Sequence, residues 1–333
     1  MVPAALYKYQ PIGPHTGLNL VLLLKHKVLF FPRKHALNDP TDCEPHLVPP
    51  EPGQATLDAL DAIAASEDLF AFFKDEAKEV RQALSDPKRG GAALTAPNRG
   101  PALGGLFSRT AAEQARDLIL SGMRLIIGTP RIFSMSSNWG VGQMWSYYAN
   151  SHRGLCLEIS GLDQPQPEII TQRVAYTTER PQVFLDEVLA LSTDSPKREQ
   201  TVRKLYCVKS DAWKHEDEYR LVARDSAAHS AICFLSIPEG DFYRIEGVRL
   251  SAVYFGQHCS DADKWMIKDL IRTNVPANDL PRIFEVRQSS QSYELDRVEA
   301  SYDRFPFLPR LPAAKRPAAG LGSVLAGQLL KTE

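Results

Sequence analysis

Short runs of hydrophobic residues, separated by irregular polar connections, recur along the whole chain. Runs of about four to eight residues that are bounded by turn residues are typical of β-strands. The predicted strands cover residues 7–9, 28–32, 131–136, 155–160, 169–177, 216–224, 231–237, 248–255 and 282–287, with a weaker one near Tyr293.

Other segments repeat hydrophobic residues every three or four positions, which predicts helices. These segments are residues 18–26, 55–65, 69–84, 109–122, 141–151, 181–191, 196–211 and 260–272. Strands and helices do not alternate in regular βαβ units. The pattern therefore predicts an α+β fold, with a mixed, mostly antiparallel sheet, packed helices and an inserted helical hairpin.

Composition changes twice along the chain. Residues 50–107 combine two Ala-, Glu- and Lys-rich helical segments with a Gly/Pro-rich stretch, which predicts a self-contained insertion with few backbone hydrogen bonds to the core. Residues 305–333 are Pro-rich and basic, and we expect them to be poorly ordered. We therefore predict one α+β domain over residues 1–304.

The overall composition limits the classes of protein that fit. The 333 residues are 44% hydrophobic and 24% charged, with a net charge of −1, so bulk attraction to nucleic acid is not expected, although a local basic patch remains compatible. No apolar run approaches the length of about 20 residues that a membrane helix needs. Five scattered cysteines, odd in number, indicate reduced thiols and a cytoplasmic location.

The densest group of charges lies in the segment 209–224. On a predicted strand, Glu216, Glu218 and Arg220 share one face. This face is either a solvated surface or a pair of carboxylates lining a cleft. In the second case repulsion raises the pKa of one carboxyl group, and Lys209 and Arg220 offset the repulsion.

Two further segments supply candidate binding residues. Ser134 and Ser136 alternate on a strand. The helix after them carries Trp145 and Tyr148 on its apolar face, and a core role is expected for Trp145. Tyr147 lies beside that face and is a candidate to stack on a planar ligand. At the start of the chain, Tyr7, Lys8 and Tyr9 are either part of an edge strand or part of a site.

The motifs of common enzymes are absent from the sequence, including the phosphate-binding loop and the nucleophile elbow. His35, Asp39, Cys43 and His46 have the side chains of metal ligands, but their spacing fits no regular zinc site. No metal is expected.

Several blocks of sequence resemble the prokaryotic family known as domain of unknown function 2971. These blocks are LFFPRKHALNDPTDC, FSMSSN, MWSYYANSHRGLCLEI and VKSDAWKHEDEYRLV, and they lie between Leu6 and Ala223. Leu37 and Thr41 stand where the family usually has aromatic residues, and the insertion is unusually long. The family has no established reaction.

The order of the blocks is also similar to that of ADP-ribosyltransferases. These enzymes use an Arg, His or Tyr on a first strand, Ser-x-Ser on a second and Glu-x-Glu on a third. The resemblance implies that NAD is the substrate, that Glu218 stabilises the ribose cation and that Glu216 orients or deprotonates the acceptor. It also implies that Tyr9 or Tyr147 stacks on nicotinamide, that Ser134 bonds the ribose, and that Lys8 and Arg220 meet the pyrophosphate.

Three functions remain open at this point. The first is an NAD-using ADP-ribosyltransferase-like effector, such as a toxin in phage defence, with a protein or nucleic-acid acceptor and a defence-system partner. The second is a non-catalytic module that binds a nucleotide or a peptide. The third is a metal-dependent nuclease that uses Asp39, Lys209, Glu216 and Glu218.

Overall fold

The computed structural model describes residues 2–65, 73–85, 110–128, 130–166, 168–192, 196–223 and 231–302. The α-helices in this part are α1 (Thr16–Val21), α2 (Gln54–Ala65), α3 (Lys74–Ser85), α4 (Ala111–Ile127), α5 (Gly142–Tyr148), α6 (Leu185–Leu189), α7 (Pro196–Tyr206) and α8 (Asp261–Asn274). The strands are β1 (Ala5–Gln10), β2 (Val28–Pro32), β3 (His46–Val48), β4 (Arg131–Ser136), β5 (Leu155–Ser160), β6 (Ile169–Arg173), β7 (Ala175–Thr177), β8 (Gln182–Phe184), β9 (Val208–Ser210), β10 (Glu218–Ala223), β11 (Cys233–Ile237), β12 (Gly240–Arg244), β13 (Arg249–Phe255), β14 (Arg282–Gln288) and β15 (Leu295–Ala300).

Eight strands form one large sheet in the order β15-β14-β13-β5-β1-β4-β10-β6. Every neighbouring pair is antiparallel except β13 and β14, which are parallel. The predicted α+β class, with a mixed and mostly antiparallel sheet, is confirmed. Because β4 lies between β1 and β10, the three segments that carry the candidate polar residues are adjacent strands.

Local signals in the sequence fix several element boundaries. Thr110 and Glu113 form a reciprocal capping box that starts α4, and the Ser260 side chain accepts from the Asp263 N–H at the start of α8. Helix α5 is shorter than predicted, because the backbone turns left-handed over three successive residues, from Asn150 to His152.

The hairpin of α2 and α3 is present, but it is not self-contained. Leu60 is fully buried, and Val80 is almost fully buried. Both belong to a hydrophobic cluster that also contains Met123 of α4, Leu205 of α7 and Val222 of β10. The side chains of the hairpin therefore pack into the core, which a self-contained insertion would not do. Residues 66–72 and 86–107 of the predicted insertion, and residues 305–333, lie outside the described residues.

A second hydrophobic cluster packs around the fully buried ring of Trp145. Its indole N–H donates to the carbonyl oxygen of Trp139 at 2.7 Å, so the polar atom of the side chain is satisfied inside the core. The predicted core role of Trp145 is confirmed. Among the described helices, none has both the length and the hydropathy to traverse a lipid bilayer.

Candidate functional site

A cleft of about 230 Å³ opens where β1, β4 and β10 lie side by side. The register of the sheet places Ser136 of β4 opposite Tyr7 on one side and Glu218 on the other. Helix α5 and the loop after β2 close the remaining walls. The lining residues are Tyr7, Lys8, Tyr9, Pro32, Ala36, Leu37, Asn38, Asp42, Ile132, Ser134, Met135, Ser136, Met144, Tyr148, Lys209, Glu216 and Glu218.

The two glutamates reach this cleft by a route that differs from the predicted one. Strand β10 begins at Glu218, whereas Glu216 ends a short 3-10 helix over Asp211–Glu216. Asp217 between them has a left-handed φ of 40°, and its carboxylate is held by Ser137 and by Arg173 at 2.6 Å. Glu216 and Glu218 therefore meet because of this turn and not because of strand alternation.

Glu218 is fixed from behind by a buried arginine. Arg220 donates from Nε to Oε1 of Glu218 at 2.8 Å and from Nη2 to Oε2 at 2.9 Å. The same guanidinium donates to both carboxylate oxygens of Asp42, at 3.0 and 2.6 Å, and to the carbonyl oxygen of Tyr206. Arg220 is fully buried and does not line the cleft, so its role here is to position Glu218 and Asp42, not to meet a pyrophosphate.

Glu216 is held by two partners at the cleft. The Lys209 ammonium donates to Oε2 of Glu216 at 2.5 Å, and it lies 3.4 Å from Glu218 and 3.7 Å from Asp42. The Tyr148 hydroxyl donates to the other oxygen, Oε1. The Tyr148 hydroxyl itself accepts from the Asn38 amide at 2.9 Å. Asn38 and Tyr148 thus connect the loop after β2 to the carboxylate pair.

The burial of the two glutamates decides whether they form a solvated surface or a pair of carboxylates that lines a cleft. Glu216 is 2% exposed and Glu218 is 4% exposed, so the pair is not a solvated surface. All six residues of β10 are buried, because the strand lies inside the sheet and both of its faces are covered.

The environment displaces the two glutamate pKa values in opposite directions. Burial raises the pKa of Glu216, since the opposing effect of Lys209 is smaller. Burial also disfavours ionisation of Glu218, but the Arg220 and Lys209 charges outweigh it and lower the pKa of Glu218 to about 2. Glu218 is therefore held as an anion, whereas Glu216 takes up a proton more readily than an ordinary glutamate does.

Lys8 and the two serines occupy the side of the cleft formed by β1 and β4. Lys8 donates from Nζ to the Ser134 carbonyl oxygen at 2.8 Å, and burial lowers its pKa to about 8. The side chain of Ser134 bonds to Glu218. The Ser136 hydroxyl accepts from the Asn138 N–H at 3.1 Å, so this serine also shapes the turn after β4.

The predicted aromatic residues separate into three environments. Tyr7 and Tyr9 both line the cleft. Tyr9 is only 5% exposed, packs edge-on against Trp145 and donates from its hydroxyl to the Asn138 carbonyl oxygen at 2.7 Å, so its ring is largely taken up by the core. Tyr147 is 63% exposed and does not line the cleft. It contacts Trp213 and His215 on the outer surface instead.

Sequence reasoning missed three residues of the site. Asp42 carries no motif, and it meets Arg220 across 178 positions of sequence. Tyr148 was assigned to the apolar face of α5, although it is the tyrosine that reaches Glu216. Asn38 lies in an Asn-Asp-Pro turn, and no role was predicted for its side chain. Two features of the sequence could have indicated these residues: the Asn-Asp-Pro turn that contains Asn38, and the polar hydroxyl group of Tyr148 on an otherwise apolar helix face.

The geometry of the site does not favour a metal-dependent nuclease. In the described part of the chain, no group of three or more His, Cys, Asp or Glu side chains is placed to hold a metal ion. The three buried carboxylates of the site are each paired with Lys209 or Arg220, so their lone pairs already face cationic donors.

Comparison with known proteins gives one match. Residues 144–221 match the family described as "Protein of unknown function (DUF2971)". This match supports the resemblance that the sequence blocks indicated. The matched segment carries Tyr148, Lys209, Glu216, Glu218 and Arg220, which are most of the charged network. No curated protein and no solved structure matches the chain. These comparisons do not show the expected similarity to ADP-ribosyltransferases.

Proposed function

We propose that this protein is an ADP-ribosyltransferase-like enzyme that cleaves the bond between nicotinamide and ribose in NAD. One observation carries the proposal: Glu216 and Glu218 meet in a cleft with aromatic walls, and their pKa values are displaced in opposite directions. Pairs of carboxyl groups with divided protonation are typical of enzymes that act on glycosidic bonds.

The adjacency of the three strands gives further support. Tyr7, Ser136 and Glu218 lie in one row across β1, β4 and β10. This is the order in which the resembling family places its tyrosine, serine and glutamate elements. The three segments are far apart in the sequence. Their adjacency therefore comes from the fold, and the order of the sequence blocks alone does not imply it.

Glu218 is the residue proposed to face the reacting ribose. When nicotinamide leaves with the electron pair of the glycosidic bond, positive charge develops on the ribose. An anion that Arg220 already fixes in position needs no reorganisation to stabilise that charge. Ser134 and Lys209, which bond to the same carboxylate, limit its rotation.

Glu216 is the proposed proton acceptor for the incoming nucleophile. The acceptor attacks the ribose carbon, and the proton that it loses passes to the Glu216 carboxylate. The raised pKa of Glu216 suits this role, since a base is most effective when its pKa lies closer to the working pH. Tyr148 and Lys209 hold the two oxygens of Glu216 in place.

The direct experiment is to incubate the purified protein with NAD and to follow nicotinamide release, with and without a cell extract that supplies an acceptor. The proposal predicts release that depends on the protein. It also predicts that expression in cells lowers NAD and arrests growth, as a toxin in phage defence would. No release under either condition would overturn the enzymatic assignment.

One observation favours a second candidate, a non-catalytic module that binds a nucleotide. The oxygens of Glu216 and Glu218 already accept hydrogen bonds from within the protein, as they would in a rigid binding pocket. This candidate predicts that NAD binds without turnover and that Glu216→Gln and Glu218→Gln both retain the affinity. Calorimetric titration of the two variants separates the candidates.

A further inference from the structure

The candidate cleft has a second cleft behind one of its walls. This second cleft has a volume of about 200 Å³, and Asp42 and Lys209 line both. Its other side chains are mainly polar and include Ser210 and Arg180. The buried Asp42–Lys209 pair therefore lies between the two clefts, although Glu216 and Glu218 line only the first.

The second cleft continues into a larger outer groove. This groove has a volume of about 790 Å³ and shares Glu44 and Arg180 with the second cleft. Helix α4 contributes Arg116 and Arg124, which lie eight residues apart and are thus separated by about 12 Å along the helix axis. A continuous concave path leads from α4 to the Asp42–Lys209 wall.

The lysine of the outer groove has an ion-pair partner, whereas its arginines have none in the described part of the chain. Lys34 forms an ion pair with Glu44. In contrast, Arg116, Arg124 and Arg180 have no carboxylate partner among the described residues, and all three are exposed. Glu179 also lines the groove, so the three arginines outnumber the one carboxylate that remains beside the Lys34–Glu44 pair. Guanidinium groups bind phosphate oxygens through paired N–H donors, and this excess makes a local cationic surface on a chain whose net charge is −1.

An aromatic surface lies next to this path. Tyr147, Trp213 and His215 form a triangle with ring centroids 6.0 to 6.3 Å apart. The Trp213 side chain bonds to the carboxylate of Asp39, and Asp39 lines the second cleft. Tyr147 is 63% exposed, whereas Trp213 and His215 are half-buried and the Lys209 ammonium lies 5.0 Å from the centroid of the Trp213 ring. Proteins that bind single-stranded nucleic acid combine aromatic rings of this kind with a cationic groove.

We propose that the outer groove and the aromatic triangle bind single-stranded nucleic acid. The three arginines contact phosphates, and Tyr147 and Trp213 stack on bases. A single strand is favoured over a duplex, because the aromatic rings of the triangle can stack only on bases that are not paired within a helix. An acidic peptide would use the arginines but would leave the aromatic triangle without a function. The role of the bound strand as an acceptor of ADP-ribose rests on the proposed function, whereas its binding does not.

Fluorescence anisotropy tests the binding with labelled oligo-dT and oligo-U of about 20 nucleotides, longer than a single-site footprint. We expect binding that weakens with salt. The triple variant Arg116→Gln, Arg124→Gln, Arg180→Gln should bind at least about tenfold more weakly at low salt, and its slope of log K against log salt should fall by about 2, since each phosphate contact contributes about 0.7. Trp213→Ala should bind several-fold more weakly at every salt concentration.

The matched control removes three exposed arginines that line none of these cavities, through Arg153→Gln, Arg249→Gln and Arg287→Gln. It should bind within about twofold of wild type. The proposal is overturned if wild type does not bind, if both triple variants lose the same affinity, or if polyglutamate competes as well as unlabelled oligonucleotide. Glu218→Gln should bind as wild type does. Binding without NAD cleavage would contradict only the proposed function, and NAD cleavage without binding would contradict only this inference.

Discussion

Arg220 contacts both carboxylate oxygens of Glu218, with Nε and Nη2 donating at 2.8 and 2.9 Å. The two residues are adjacent on the same face of β10, and neither has appreciable contact with solvent. A charge pair of this kind contributes little net stability when it is intact, but removal of one partner leaves an uncompensated buried charge. The pair therefore fixes the position of the Glu218 side chain. Replacement of Arg220 is expected to destabilise the fold.

Replacement of Arg220 by methionine should lower the free energy of unfolding by about 3–5 kcal/mol, because Glu218 and Asp42 lose their shared cation. Urea denaturation measures this change. Arg173→Gln is the matched control. Arg173 bonds to Asp217 at 2.6 Å but is largely exposed, so its loss should cost less than about 1 kcal/mol. Similar losses in the two variants would contradict the account of Arg220.

Acid should destabilise the protein through Glu218. Its pKa of about 2 lies below the ordinary value of 4.5, so the ionised carboxylate stabilises the folded state above about pH 4.5, and this stabilisation is lost as the pH falls towards 2. Urea unfolding between pH 5 and pH 3 should therefore show a weaker pH dependence in Glu218→Gln than in wild type. Equal slopes would show that Glu218 is not held as an anion.

Phenylalanine variants of the neighbouring residues Tyr148 and Tyr147 provide a test and its control. The Tyr148 hydroxyl donates to Glu216 and thereby lowers the pKa of that carboxyl group. Tyr148→Phe removes the donor, so the acidic limb of the pH profile for nicotinamide release should move to higher pH. Tyr147→Phe removes an exposed hydroxyl outside the cleft and should leave the profile unchanged. An unmoved profile in Tyr148→Phe would exclude Glu216 as the base.

The helical hairpin should behave as part of the core. Leu60 is fully buried in the cluster that includes Val222 of β10, so Leu60→Ala should lower the free energy of unfolding by about 2–5 kcal/mol. Leu125 of α4 is 44% exposed, and Leu125→Ala should change the free energy by less than about 1 kcal/mol. A thermal or urea melt of both variants checks this contrast. If the hairpin were independent of the core, both substitutions would change the free energy of unfolding only slightly.

Most of the fold was accessible from local patterns. The strands at 131–136 and 155–160 have the predicted bounds, because each is a hydrophobic run bounded by polar or turn residues. The segment 181–191 was predicted as one helix, but its first part is strand β8. Strand β8 pairs with β3, so tertiary contacts overrode the local helical spacing.

The candidate site was only partly accessible. Glu216, Glu218 and Lys209 lie close together in the sequence, and their charges alone indicated a cluster. Asp42 joins them through contacts that no local pattern encodes. Tyr147 was preferred to Tyr148 because strict helical spacing placed Tyr148 in the core. The structure shows instead that a residue on the apolar face directs its hydroxyl into the cleft.

The central claim is that the Glu218 carboxylate takes part in NAD cleavage, and the rate of nicotinamide release by Glu218→Gln tests it most directly. Glu158→Gln is the matched control, since the Glu158 carboxylate is also buried and hydrogen-bonded within the protein, to the Tyr254 hydroxyl, but lies outside the cleft. With both variants folded, the account predicts a loss of at least about 100-fold in Glu218→Gln and near wild-type release in Glu158→Gln. Undiminished release by folded Glu218→Gln would contradict it.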